Sequence, residues 1–161
     1  MRAKLILPAA LLLLASCDEA PTRTGETSGG EILAPTRLEG MPRQSTGITA
    51  ERRLVIRTQG ELEAFWAEML RDRPYFAPPE IDFASEMVVA AAMGPRANLG
   101  YRVTLESLAR EGARWNAVVL SRSPGSCMAQ DMATSPVDAM RVPRAAEVRF
   151  EERTDVASCT P

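Results

Sequence analysis

Leu62, Phe65, Trp66, Met69 and Leu70 recur at i, i+3, i+4, i+7 and i+8, with Glu61, Glu63, Glu68 and Arg71 between and around them. That spacing draws one apolar stripe along a helix. Thr58-Gln59-Gly60-Glu61 sets a hydroxyl three residues before a carboxylate, the spacing of a capping box, so the helix is predicted to open at Thr58. Arg73-Pro74 and Pro78-Pro79 end it and begin a loop. Elsewhere the period is two, or the apolar run is unbroken. Arg53-Leu54-Val55-Ile56-Arg57 reads as a short strand flanked by charge, and residues 37–48 are expected to pair with it through Thr49-Ala50-Glu51. Residues 87–93 are apolar on both faces, as a central strand is, although their alanines also suit a short buried helix. Tyr101, Val103 and Leu105 alternate with polar neighbours, Glu111-Gly112 supplies a turn, and residues 115–120 return as the second arm of a hairpin. Residues 121–136 read as loop, and residues 137–142 and 147–150 are expected to form a last hairpin across Pro143. One helix among strands adjacent in sequence predicts an α+β fold, a mostly antiparallel β-sheet with one amphipathic α-helix packed on it.

The first residues belong to a different pattern. An apolar run over residues 5–14 follows Arg2 and Lys4. Crossing a bilayer takes about 20 such residues, so this run fits the hydrophobic part of an export signal. It ends in Leu14-Ala15-Ser16-Cys17, which resembles a bacterial lipoprotein signal with its lipobox. The resemblance implies cleavage before Cys17 and acylation of its thiol. The alternative is an ordinary secretory signal that leaves Cys17 in the mature chain. Each buried CH₂ of a lipid chain contributes about 0.8 kcal/mol, so several chains anchor a protein without a transmembrane helix. Asp18 follows the cysteine, which in lipoproteins of the enterobacterial type implies retention at the inner membrane; the outer membrane stays open. Residues 18–35 are rich in Thr, Gly, Ser, Glu and Pro and read as a flexible tether. The expected organisation is a signal peptide over 1–16, a lipidated N-terminus and tether over 17–35, and one globular domain over 36–161.

Composition narrows the chemistry. The chain carries a formal charge of −2, and loss of Arg2 and Lys4 with the signal brings it to −4. No basic stripe for nucleic-acid phosphates appears. There is no histidine, and Lys4 is the sole lysine. The processed chain therefore lacks Ser-His, Cys-His and Ser-Lys pairs, Schiff-base chemistry and imidazole metal ligands. Its arginines fit a GC-rich genome, or planar contacts to carboxylates on a partner. With Cys17 lipidated, Cys127 and Cys159 remain in an oxidising compartment, where an even pair most often forms a disulfide. Two free thiols, or a soft-metal site with Met128 and Met132 suited to Cu(I), are the alternatives. Methionine more often fills gaps in a core. No cofactor is expected.

Residues 81–143 carry a further resemblance. Ile81-Asp82-Phe83, the apolar run over 87–93, a loop from Gly94 to Gly100-Tyr101, a hairpin, Gly125-Ser126-Cys127, Thr134-Ser135-Pro136 and Val142-Pro143 follow in that order. The order resembles the C-terminal domain of the PrcB family, lipoprotein subunits of a bacterial surface protease complex. With the Thr58 helix the likeness covers most of residues 53–150. One departure is Asn98-Leu99-Gly100-Tyr101, where the family's loop often reads threonine, two glycines and tyrosine. The resemblance implies an accessory role in a protease complex, not catalysis.

The loop 94–101 is the leading candidate for contact with a partner. Gly94 and Gly100 permit close backbone approach. Pro95 lies in the same loop, Arg96 and Asn98 present donors, and Tyr101 is a rigid aromatic. It reads equally as a long connector with a core tyrosine, and it lacks the lysine and glycine spacing of a phosphate-binding loop. Glu80, Asp82, Glu86 and the Glu151-Glu152 pair are the remaining acid–base groups. They read as solvated charge, with Asp82 capping a turn, rather than as a facing glycosidase pair. Ser123 and Ser126 have neither a base nor a nucleophile elbow. Trp66 belongs to the core, and Trp115 to the core or to an exposed turn. The expected function is a non-catalytic, periplasm-facing envelope lipoprotein that binds another envelope protein, a protease by resemblance. The alternative is a structural lipoprotein that binds glycan or cell wall through exposed aromatics.

Overall fold

The computed structural model describes residues 32–33, 36–44, 46–71 and 73–159; the export signal, Cys17 and most of the tether lie outside them. Along the described chain the elements are β1 (Ile32–Leu33), β2 (Thr36–Arg37), β3 (Glu51–Ile56), α1 (Gln59–Met69), β4 (Glu86–Met93), β5 (Arg102–Glu111), β6 (Arg114–Ser123), β7 (Val137–Pro143) and β8 (Glu147–Val156). The strands form two sheets, ordered β2-β7-β4-β3 and β1-β5-β6-β8. All neighbours are antiparallel except β6 and β8. The architecture is sheet-dominated, mostly antiparallel, with one short helix.

The unbroken apolar run is strand β4, not a helix, and both of its faces are covered. Val88, Ala90 and Ala92 share one buried cluster with Leu62, Phe65, Trp66 and Met69. Met87, Val89, Ala91 and Met93 share the other with Val103, Leu105, Leu108, Trp115, Ala117 and Val119 of the second sheet. Period-two side chains point to opposite faces, so a strand buried on both must be apolar at every position. The alanines keep that layer thin.

Helix α1 opens as its sequence specifies. Thr58 is extended (φ −139°, ψ 155°), its hydroxyl accepts the Glu61 N–H, and the Glu61 carboxylate returns to the Thr58 N–H, both at 3.2 Å. The helix stops at Met69, whose carbonyl accepts the N–H of Gly47 at 2.9 Å. A Cβ on Gly47 would lie 2.3 Å from the Glu68 carbonyl oxygen, so glycine lets this loop close on the helix end.

Two expectations are corrected. Residues 37–48 do not pair with β3. Thr36 and Arg37 pair instead with Arg141 and Met140 of β7, and the chain from Leu38 to Ala50 carries no strand among its described residues. Gly40, Pro42 and Gly47 break that stretch, and the continuous β4 ladder takes β3. No hairpin joins β7 to β8. The Arg144 N–H donates to the Ser85 carbonyl and the Ala146 N–H to the Ala113 carbonyl, carrying the chain across to the other sheet. There β8 runs parallel to β6 over ten registered pairs from Arg114↔Glu147 to Ser123↔Val156. Ile32 and Leu33, within the stretch expected to be tether, pair with Ala109 and Leu108.

Trp115 is core (1% exposed), and its indole N–H donates to the Pro143 carbonyl at 3.0 Å. Strand β5 holds a bulge: Leu105 faces Val119, Ser107 faces Val118, and Glu106 is the extra residue. The insertion shifts the inward set from Val103 and Leu105 to Leu108. At the outer strands, the Arg53 guanidinium binds both oxygens of Glu152 on β8 at 2.7 and 2.8 Å, tying β3 to the second sheet. That bidentate contact, more than burial opposes it, raises the Arg53 pKa.

Candidate functional site

The loops 94–101 and 124–136 meet at one end of the two sheets. Arg96 and Thr134 exchange backbone hydrogen bonds at 2.7 and 3.0 Å, and the Leu99 N–H donates to the Gln130 carbonyl at 3.1 Å. The second loop is fastened in turn to the chain's end. Cys127 and Cys159 form a disulfide with Cα atoms 4.9 Å apart. The Ser126 hydroxyl accepts the Cys159 N–H at 3.2 Å and donates to its carbonyl at 3.3 Å. The Ala157 N–H reaches the Ser123 carbonyl at 3.0 Å.

Each residue singled out in the first loop has a definite place. Gly94 has φ +67°, and a Cβ there would lie 2.9 Å from the Glu51 nitrogen. Glycine is needed for the turn out of β4 and for the close pass beside β3. Pro95 is exposed. The Arg96 guanidinium donates to Glu51 Oε2 at 2.8 Å and to the Pro95 carbonyl at 3.0 Å. Asn98 Oδ1 accepts the Gly100 N–H at 3.0 Å, a local side-chain turn. A Cβ on Gly100 would fall 2.5 Å from Pro124 Cβ and 2.9 Å from Ala129 Cβ, so this glycine is what lets the loops touch. Tyr101 is half-buried against the inter-sheet core. The fixed backbone leaves Pro95 and Ala97 outward.

The second loop supplies what the sequence did not single out as surface. Met128 is 102% exposed and Met132 48%, so neither fills the core. With Cys127 in a disulfide, no thiolate stands beside them for Cu(I). Between the loops lies a depression of about 220 Å³ lined by Thr46, Pro95, Ala133, Thr134 and Ser135. Its floor is stiffened by the buried Thr46 hydroxyl, which donates to the Ser135 carbonyl at 2.7 Å. An unpaired methionine outside any period-two or helical pattern was the available signal for this surface.

The carboxylates are dispersed. Asp82 accepts the Ser85 hydroxyl at 2.7 Å and the Ala84 N–H at 3.1 Å, capping the turn before β4, and these bonds hold its carboxyl below the ordinary aspartate value. Glu86 pairs with Arg141 at 3.2 Å, Glu151 with Arg153 at 3.3 Å and Glu152 with Arg53. Glu80 is exposed. Among the described residues no group of three or more Asp, Glu or Cys side chains is placed to hold a metal ion. Tyr75 (63% exposed) and Phe76 (44%) form a separate aromatic surface after α1.

Among the described residues no helix is long and apolar enough to cross a membrane. Comparison with protein-family models, curated proteins and solved structures finds no match.

Proposed function

We propose that this chain is a non-catalytic accessory lipoprotein of the bacterial envelope, held through Cys17 and facing the periplasm, which binds another envelope protein through the loops 94–101 and 124–136. The order of short motifs over residues 81–143, similar to that of the PrcB family, makes an exported protease the first partner class to try. The lipobox-like Leu14-Ala15-Ser16-Cys17 and the expected packing of the amphipathic helix on the sheet belong to the same reading.

The observation that carries it is where the chain enters and where the loops lie. Ile32 pairs with Ala109, beside the Glu111-Gly112 turn, while both loops leave the sheets at the Arg102 and Ser123 end. Seven residues of β5 separate the two ends, about 23 Å at ~3.3 Å per residue. A chain anchored at Cys17 and entering at Ile32 would hold the loops on the side away from its anchor. Exposed methionines on a rigid frame suit an apolar partner face, because their thioethers are soft and adapt in shape.

The test is a photo-crosslinking residue placed at Met128 in one strain and at Gly112 in another, with the full chain in its native membrane. One exported protein joined in high yield from position 128 and not from 112 is the expected result. Equal yields from both positions, or none from either, would overturn it. Mass spectrometry of the purified chain reads the lipid at Cys17 independently.

A second reading, a lipoprotein that binds glycan or cell wall, rests on the exposed Tyr75 and Phe76. It predicts co-sedimentation with peptidoglycan that Tyr75→Ala abolishes and Met128→Ala leaves alone.

A further inference from the structure

Sulfur is sharply divided in this fold. Met41, Met69, Met87, Met93 and Met140 are each no more than 9% exposed and all belong to the two buried clusters. Met128 and Met132 stand out at 102% and 48%, four residues apart in one loop. Cys127 and Cys159 are already joined, so the accessible reduced sulfur among the described residues is the thioether pair. Thioether oxidation follows exposure and turns a flexible apolar side chain into a polar one.

We propose that Met128 and Met132 form a reversible modification site that takes up oxygen from peroxide-class oxidants. The thioether sulfur attacks one peroxide oxygen and the O–O bond breaks. Sulfur gains that oxygen and loses two electrons, and hydrogen peroxide leaves as water. A dithiol-dependent sulfoxide reductase reverses the step: the sulfoxide oxygen departs as water while two thiols become a disulfide. Neither methionine contributes to a buried cluster, so the modification spares the fold. The disulfide-fastened loop keeps both sulfurs presented to oxidant and to reductase. The consequence for partner binding rests on the docking reading above: two sulfoxides would make the loop surface polar and weaken its grip on an apolar face.

The experiment exposes the purified full chain to graded hydrogen peroxide and follows each methionine by peptide mass spectrometry. Met128 and Met132 are expected to oxidise about tenfold or more faster than the five buried methionines, with the thermal midpoint unchanged. Comparable rates at Met87 or Met140 in the folded chain would overturn the proposal. Retention on a phenyl column reads the surface. It should fall after peroxide in the parent chain and hold in the Met128→Leu/Met132→Leu variant, which stays apolar without an oxidisable sulfur. Treatment with the two epimer-specific methionine sulfoxide reductases and dithiothreitol, followed by re-formation of the Cys127–Cys159 disulfide with oxidised glutathione, should restore mass and retention; sulfoxides that persist would overturn reversibility. Crosslinking from position 97 separates this proposal from the docking reading. Loss of the adduct after peroxide in the parent but not in the Leu variant supports both. No adduct from position 97 in the untreated parent counts against docking and leaves the oxidation result standing.

Discussion

Asp138 Oδ2 accepts the backbone N–H of Leu105 at 2.8 Å, joining β7 of one sheet to the bulge of β5 in the other. The residue is fully buried. Its second oxygen is met by the Arg37 guanidinium and, at 3.5 Å, by Arg43 Nε. One carboxylate thus serves a bulge donor and two arginines from the segment that enters the domain. Both arginines remain partly exposed and regain water if the carboxylate goes, so the large penalty of a stranded buried ion does not apply to them. The Leu105 N–H has no such recourse. Asp138→Ala is therefore expected to cost about 1–3 kcal/mol, the range for an orphaned buried donor, and Asp138→Asn less, because its amide oxygen still accepts. Urea midpoints of the two variants check the order.

Trp66 makes a second cross-chain tie. Its indole N–H donates to the Phe76 carbonyl at 2.9 Å, and the two rings meet edge to face with centroids 5.8 Å apart. Trp66→Phe removes the donor and leaves a gap in a fully buried site. A loss of about 1–3 kcal/mol is expected from the missing bond and the void. Amide exchange should rise first in residues 73–79, which the indole holds against α1. Uniform acceleration over the domain would contradict this local role.

What the sequence made legible was local. The Thr58 cap, the α1 stripe, the Glu111-Gly112 hairpin and the Asp82 turn each depend on residues within a few positions. Unbroken apolarity over 87–93 favoured a strand between two covered faces, with a short buried helix as the alternative that its alanines left open. The parallel partner of β8 was not legible. Val148 and Phe150 mark an inward face but not which sheet receives it, and Pro143-Arg144 imitates a turn. The bulge hid in a change of phase between Leu105 and Leu108. Asp138 had a visible sign, a lone carboxylate in an apolar strand, but its partners lie 33 and 101 residues away. At the candidate site the glycines were legible. The exposed methionines were not, since methionine is ordinarily assigned to the core.

Asp82 gives the domain a defined response to acid. The Ser85 hydroxyl, then the Ala84 N–H, stabilise its carboxylate and lower its pKa from the ordinary 3.8. A carboxyl with a depressed folded pKa contributes stability above its unfolded value and loses it as pH falls through the folded one. The turn before β4 should therefore loosen only below the ordinary aspartate range. Carboxyl ¹³C shifts against pH read the midpoint directly. Ser85→Ala, which removes the larger cause, should raise it toward the ordinary value; an unmoved midpoint would show that the hydroxyl is not what holds it.

The disulfide gives the last expectation. It closes a loop with a sequence separation of 32 residues. Such a loop stabilises by about 3–4 kcal/mol in the chain-entropy estimate. The paired Cys127→Ser/Cys159→Ser variant should lose stability of that order. Its effect should also be local, because the hydrogen bonds of Ser126 to Cys159 and of Ala157 to Ser123 stay possible only while the chain's end remains beside the loop. Gly100→Ala attacks the same contact from the other loop, driving a methyl group against Pro124 and Ala129. If the loops 94–101 and 124–136 act as one surface, either change should free amides in both, and Leu99 and Thr134 should lose exchange protection together. Protection lost at 124–136 alone would mean that the first loop holds its shape through Arg96–Glu51 and the Asn98 turn without its neighbour.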